Sequence, residues 1–204
     1  MDREEHSSHT PDPSAQTVAA QVEKNTGESP VKCYQCGRCA AGCPQNICGE
    51  MDISPTRMMH LLQLELAFAD EPEKSRQYAE KALSADTCWL CAGCLACTTR
   101  CPQGLDIAGT MDVLRQESLR RGVAAKSRRA RDIQKLHRAF LNSALKRGRI
   151  HEISMLIAYK LRSGHLLADM NLGPAMWWKG KMHLLGGESV DTQRVQEAIE
   201  KLRG

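Results

Sequence analysis

The sequence predicts an all-α chain in which two cysteine-rich loops sit between helices. Three observations predict it. Apolar residues recur at helical spacing through most of the chain after residue 50, and no segment shows the alternation of a half-buried strand. Eight of the ten cysteines fall into two tight runs, Cys33-Cys36-Cys39-Cys43 and Cys91-Cys94-Cys97-Cys101. Aromatic residues make up only 4% of the 204 residues, thin for a large conventional core, so a small core built around metal-binding loops is expected.

The elements follow in order. Residues 1–30 are polar and rich in Ser, Thr, Pro and Gln, and read as a disordered or loosely docked N-terminal extension. Residues 31–48 hold the first cysteine loop. Ser54-Pro55 then offers an N-cap followed by proline at the first helical position. Met58, Met59, Leu61, Leu62 and Leu66 continue at helical spacing to Phe68, and Asp70-Glu71-Pro72 breaks the run. Ser75 to Leu83 is a shorter helical stretch leading into the second loop. A helix from Ile107 to about Arg121 has Gly122 as its left-handed stop. Ser127 to Arg147 reads as a long basic helix, Ile150 to Arg162 as another ending before Gly164, and a last helix is expected from Asp191 with Val195, Ile199 and Leu202 on one face. The domains expected are the extension 1–30, a cysteine-loop domain 31–122, and a helical C-terminal extension 123–204 that packs on that domain or on a partner.

Each cysteine run has the form C-x2-C-x2-C-x3-C-P, closing on Pro44 and Pro102. That spacing holds [4Fe–4S] clusters in bacterial-type ferredoxins, so two clusters are expected. Three thiolates from one tight loop can grip three corners of a cubane, and the small residues Gly37, Ala40, Ala41, Gly42, Ala92, Gly93 and Ala96 let backbone N–H groups approach its sulfurs. In two-cluster ferredoxins the fourth cysteine ligates the other cluster. Crossed ligation puts Cys33, Cys36, Cys39 and Cys101 on one cluster and Cys91, Cys94, Cys97 and Cys43 on the other. The runs look duplicated beyond the cysteines: Cys43-Pro44-Gln45 matches Cys101-Pro102-Gln103, Asp52-Ile53 matches Asp106-Ile107, and Thr56 matches Thr110. The first copy carries four extra residues, and Cys48 lies among them. Cys88 opens a rival frame, Cys88-Cys91-Cys94-Cys97, which lacks the ending before proline and idles Cys101. Cys48 and Cys88 read as free packed thiols, with a ligand-swap or redox-sensing role as the alternative. Trp89 reads as an apolar shield over the second cluster, and the seven histidines as surface or packing residues.

Other readings of ten cysteines are a disulfide framework and structural zinc. The N-terminus has no apolar signal region and no run approaches the ~20 apolar residues of a membrane span, so a reducing cytoplasm is expected, where cysteines bind metal more often than they pair. Zinc sites use separated C-x2-C pairs and have no use for a third close cysteine. The formal charge is 28 − 24 = +4. Each cluster with its four thiolates adds about −2, so the basic pI does not argue for a polyanionic partner. The basic residues between 115 and 149 read first as a solvated helix face, then as a surface for an acidic protein, and last as a nucleic-acid site, since no aromatic residues interleave them. No nucleic acid is expected.

Around the second motif, Trp89-Leu90-Cys91-Ala92-Gly93-Cys94-Leu95-Ala96-Cys97-Thr98-Thr99-Arg100-Cys101-Pro102 through Leu105-Asp106-Ile107, the chain resembles the iron–sulfur C subunit of heterodisulfide reductase. Leu172-Gly173-Pro174 and Lys179-Gly180-Lys181 extend the likeness, which covers roughly residues 31–202. The resemblance implies an alpha-helical ferredoxin-like domain with two [4Fe–4S] clusters. It implies an electron-transfer role between two other members of a heterodisulfide reductase complex, a flavin- and iron–sulfur-bearing A subunit and a disulfide-cleaving, CCG-type B subunit. The chain itself has no Cys-Cys pair of the CCG type, no G-x-G-x-x-G fingerprint and no catalytic constellation marked by spacing, so no catalytic residue is expected here. The same cysteine pattern is shared with iron–sulfur subunits of flavin dehydrogenases acting on glycerol 3-phosphate or hydroxy acids. That function and a cluster-based redox sensor are the alternatives.

Overall fold

In a computed structural model the described residues are 16–148 and 150–164, with Trp178, Lys179, Arg194, Glu197 and Ala198 beyond them. Regular structure among these residues is helical, with no strand. The expected last helix from Asp191, and most of the Gly- and Trp-containing stretch at 173–187, lie outside the described residues. The chain divides into two compact units, Met1–Ala130 and Arg131–Gly204.

The first unit is built on two long helices, α4 (Pro55–Ala67) and α8 (Ile107–Arg120). Ser54 caps α4 by accepting from the Arg57 N–H, and Pro55 at the first helical position forfeits only an N–H that has no intrahelical partner anyway. Asp106 caps α8 by accepting from the Gly109 N–H. Met58, Met59 and Leu62 of α4 and Ile107, Met111 and Leu114 of α8 are fully buried, joined by Leu83 from α5 (Pro72–Leu83). Pro72 opens α5 rather than ending structure, so this helix starts three residues before the expected Ser75. Phe68 and Tyr78 stack at 5.5 Å between centroids across the α4–α5 turn.

Residues 18–26, inside the stretch read as an extension from its polarity, form α1 (Val18–Thr26), which packs on α4 and α8. Val18, Ala19 and Val22 are buried. The buried Glu65 carboxylate of α4 accepts from the Val18 and Ala19 N–H groups at 2.7 and 2.8 Å, and Arg121 donates to the Gln16 carbonyl. Two of the helix's orphan donors are thus met by a residue 47 positions away, an anchor that local composition cannot reveal.

Four one-turn helices frame the cysteines: α2 (Arg38–Ala41), α3 (Pro44–Ile47), α6 (Asp86–Leu90) and α7 (Ala96–Thr99). Thr87 at the start of α6 locks the two halves of the repeat. Its N–H and hydroxyl both bond the Asp52 carboxylate, and its hydroxyl also meets Ile53. Asp52 and Asp106 therefore do different jobs at matching positions, because Ser54 has taken over the capping of α4. After α8, Gly122 is left-handed as expected, and Asp86 accepts from the Ser127 N–H to start α9 (Arg128–Arg147).

In the second unit, Gln134 and Ala139 of α9 are buried. His151 caps α10 (Glu152–Ser163) through its Nδ1, and Gly164 closes it in the left-handed region.

Candidate metal centres

The two cysteine loops share one backbone design. Matched on their second cysteines, Gln35 pairs with Gly93 and Gly37 with Leu95. All four have positive φ: 60°, 64°, 78° and 61°. A left-handed residue on each side of the second cysteine makes each loop curl tightly around it. Two of the four are not glycine, at a cost of about 1–2 kcal/mol each. At Gln35 the side chain is tied down in compensation. Gln63 of α4 donates both Nε2 protons, to the carbonyls of Pro30 and Cys33, so its Oε1 must accept, and it does so from Gln35 Nε2 at 2.9 Å.

The third cysteine of each motif, Cys39 or Cys97, rides on the one-turn helix that follows its loop. The fourth precedes a proline, which disfavours helical backbone at that residue. Cys43 is accordingly extended, with φ −86° and ψ 116°, and leaves the curl of its own loop.

Where that takes it is visible in a cavity lined by Cys91, Cys94 and Cys97 of the second motif together with Cys43 of the first. Met51, Pro55, Leu95, Ala108 and Met111 supply apolar wall. The Cys43 sulfur lies 3.9 Å from that of Met51. At the other loop the Cys33 thiol lies within electrostatic reach of Cys39, Cys101 and Cys36. The structure thus sets Cys43 of the first run beside Cys91, Cys94 and Cys97 of the second, and Cys101 of the second run within electrostatic reach of Cys33 of the first. Trp89 is buried but is not among the residues lining the cavity; the apolar cover comes from α4, α8 and the Met51 turn instead.

Burial pushes the Cys33 thiol above its ordinary value, against the pull of the Gln35 N–H, and its cysteine neighbours add to the rise. Burial likewise raises Cys97, against hydrogen bonds from Thr98. Loading metal on these thiols must therefore release protons. Among the described residues no three His, Cys, Asp or Glu side chains converge tightly enough to hold a single metal ion. Mononuclear zinc would need four sulfurs at about 2.3 Å from one point. Four thiols spread around one cavity fit a cubane better.

Cys88 stands outside this arrangement. It is fully buried, donates its S–H to the Ala85 carbonyl, and is pushed up to about 12 by burial. Cys48, at the end of α3, is exposed. Sequence reasoning missed several residues that hold the loops. Arg115 of α8 donates to the carbonyls of Cys88 and Cys91 and pairs with Asp112. The Arg100 side chain lies against Gly42, where a Cβ would collide with it, so the two loops sit side by side. Thr56 had a sequence signal, its match to Thr110; its hydroxyl is 3.2 Å from the Cys39 sulfur.

The basic stretch carries less free charge than its composition suggests. Glu117 pairs with both Arg120 and Arg121, Arg129 with Glu50, Lys126 with Asp52 and Lys135 with Asp132. No helix among the described residues is long and apolar enough to cross a membrane.

Residues 32–105 match the 4Fe-4S dicluster domain family. The chain is 33% identical over 97 residues to the iron-sulfur C subunit of the CoB–CoM heterodisulfide reductase of Methanopyrus kandleri, covering 48% of this chain and 43% of that one. It is 28% identical over 101 residues to the C subunit of the ferredoxin:CoB-CoM heterodisulfide reductase of Methanosarcina mazei, covering 50% and 53%. It is 27% identical over 105 residues to the C subunit of the H2:CoB-CoM heterodisulfide,ferredoxin reductase of Methanothermobacter marburgensis, covering 51% and 49%. The chain spans about half the length of the curated relatives it matches. These relatives bear out the resemblance read from the cysteine segments.

Proposed function

Starting from a chain that carries a 4Fe-4S dicluster domain and is similar to the C subunit of heterodisulfide reductase, we propose that it is an iron–sulfur electron-transfer subunit of a heterodisulfide-reductase-type complex. It holds two [4Fe–4S] clusters by crossed ligation: Cys33, Cys36, Cys39 and Cys101 on one, Cys91, Cys94, Cys97 and Cys43 on the other. The observation that carries this reading is the cavity shared by Cys43 with Cys91, Cys94 and Cys97. When bound, the clusters supply one-electron storage and transfer. The chain's own residues wrap them, aim N–H groups at sulfur and keep water off with Met51, Pro55 and Met111.

No residue of this chain is catalytic in the proposal. Electrons pass between a flavin- and iron–sulfur-bearing partner and a CCG-type partner, where the disulfide is cleaved. Residues 31–122 form the dicluster domain and 123–204 a helical extension that packs on it or on a partner. Within 1–30, α1 is the part anchored to the domain, through Glu65. The complex works in the cytoplasm, with no nucleic acid involved.

Anaerobic preparation of the full chain should yield about eight iron and eight acid-labile sulfide per chain, with EPR of the reduced protein showing two interacting spins. Affinity capture from its own cells should recover a CCG-containing protein and a flavoprotein. A colourless or zinc-loaded product would overturn the cluster assignment, and isolation without either partner would overturn the complex.

A further inference from the structure

The two halves of the repeat differ at the positions that face sulfur. Beside the first loop, Gln35 Nε2 has one proton engaged by Gln63, and its other points to the Cys33 sulfur at 3.5 Å. Thr56 Oγ1 lies 3.2 Å from the Cys39 sulfur, and once Cys39 is a thiolate the hydroxyl must be the donor.

The second loop has none of these groups at matching positions. Gln35 is matched by Gly93, which offers no side-chain donor. Gln63 is matched by Glu117, which is occupied by Arg120 and Arg121. Thr110, the match of Thr56, spends its hydroxyl proton on the Asp106 carbonyl. Thr98 donates its N–H to the Cys97 sulfur, as Gln35 does to Cys33, but the single proton of its hydroxyl, though within reach of that sulfur, has the Asp106 carboxylate as the stronger acceptor. The wall there is mostly apolar, built from Met51, Pro55, Leu95, Ala108 and Met111, with Gln45 the one amide side chain among the lining residues and no hydrogen bond from it to a sulfur. Arg115 behind this loop has its charge countered by Asp112.

Donors to ligand sulfur stabilise added negative charge, and an apolar wall disfavours it. We infer that Gln35 and Thr56 are potential-setting residues that make the Cys33-loop centre the higher-potential of the two, so electrons run from the Cys91-loop centre to the Cys33-loop centre. The inference rests on the two-cluster reading proposed above and adds a direction to it. One electron leaves the Cys91-loop cluster as one enters the Cys33-loop cluster, with no proton moved. The reductant is the flavin-bearing partner and the final oxidant is the disulfide on the other partner. Gln63 is a positioning residue here: it fixes which proton of Gln35 faces sulfur.

Potentiometric EPR titration of the anaerobic full chain tests this. Wild type should show two steps. Gln35→Gly, which keeps the left-handed backbone and copies Gly93, and Thr56→Val should each lower the upper step by about tenfold in the reduction equilibrium, about 59 mV for a one-electron couple. The lower step should stay in place and iron content should stay full. Thr56→Ser, which restores the hydroxyl, should return the upper step to its wild-type position. A shift of the lower step instead, or no shift with iron retained, overturns the inference and leaves the two-cluster assignment standing. Iron loss in all three variants, the serine included, overturns it by giving these side chains a purely structural part. Wild-type protein without cubane iron overturns the proposed function and this inference with it.

Discussion

Two of the ten cysteines, Cys48 and Cys88, stand outside the repeated frame, and their surroundings assign them opposite chemistry. A sensing thiol needs access and an available thiolate. Cys88 has neither: it is fully buried, its S–H is held by the Ala85 carbonyl, and burial pushes it up to about 12 despite the nearby Arg115. Cys48 is exposed on the insertion that distinguishes the first copy of the repeat. Iodoacetamide at about pH 8 should therefore label Cys48 in the native, cluster-loaded chain and leave Cys88 untouched until unfolding; mass spectrometry of the peptides reads the outcome, and early labelling of Cys88 would refute the burial argument. Cys88→Ala should cost about 1–2 kcal/mol of stability through the small void it leaves and retain full iron. Iron loss on that change would revive the rival frame beginning at Cys88.

At the scale of elements, α1 hangs on one carboxylate. Glu65 is 2% exposed and takes the N–H groups of Val18 and Ala19. Glu65→Leu leaves both donors buried without a partner and should cost about 2–4 kcal/mol, read as lost hydrogen-exchange protection over residues 18–26. Burial raises the Glu65 carboxyl above its ordinary value, although the two N–H groups and Arg121 pull it down. The folded chain thus holds this proton to a higher pH than the unfolded chain does. Its contribution to stability is fullest below the ordinary carboxylate value and declines as pH rises through the raised one. Glu117 has the opposite sign. Burial works to raise it, but the bonds from Arg120 and Arg121 win and leave it lowered. Its contribution is present above the ordinary value and is lost as pH falls through the depressed one. Chemical denaturation across pH 3–7 should show Glu117→Gln removing part of the acid-side loss and Glu65→Gln removing part of the decline on the other side. These elements also mark what sequence could convey. Helices α4, α8 and α10 were legible because their apolar residues repeat at helical spacing and Ser54-Pro55, Gly122 and Gly164 punctuate them. Helix α1 was not, because its anchor is Glu65, far along the chain. The one-turn helices α2, α3, α6 and α7 carry no periodicity at all; the cysteine loops and Pro44 set them. The donors Gln35 and Gln63 were hidden for a related reason: an amide becomes informative only when the fold sets it beside sulfur.

For the molecule as a whole, crossing the fourth cysteines makes neither loop a site by itself. Under the proposed crossing each centre draws a ligand from the far half of the repeat, so the two halves should assemble cooperatively, with metal binding contributing directly to folding of the unit that ends at Ala130. This carries a reciprocal consequence that uncrossed ligation does not share. Cys43 lies in the first run but shares its cavity with Cys91, Cys94 and Cys97. Cys101 lies in the second run but is one of the cysteine neighbours that, after burial, help raise the Cys33 thiol. Cys43→Ser should therefore alter the EPR signal of the Cys91-loop centre, and Cys101→Ser that of the Cys33-loop centre, each leaving about four iron atoms in the undisturbed site where the altered one is lost. The two signals are to be told apart by Gln35→Gly, which is expected to move only the Cys33-loop centre in potential. Uncrossed ligation requires the reverse pairing, Cys43→Ser with the Cys33-loop signal and Cys101→Ser with the Cys91-loop signal, and that result would dismantle the crossing while leaving two clusters in place.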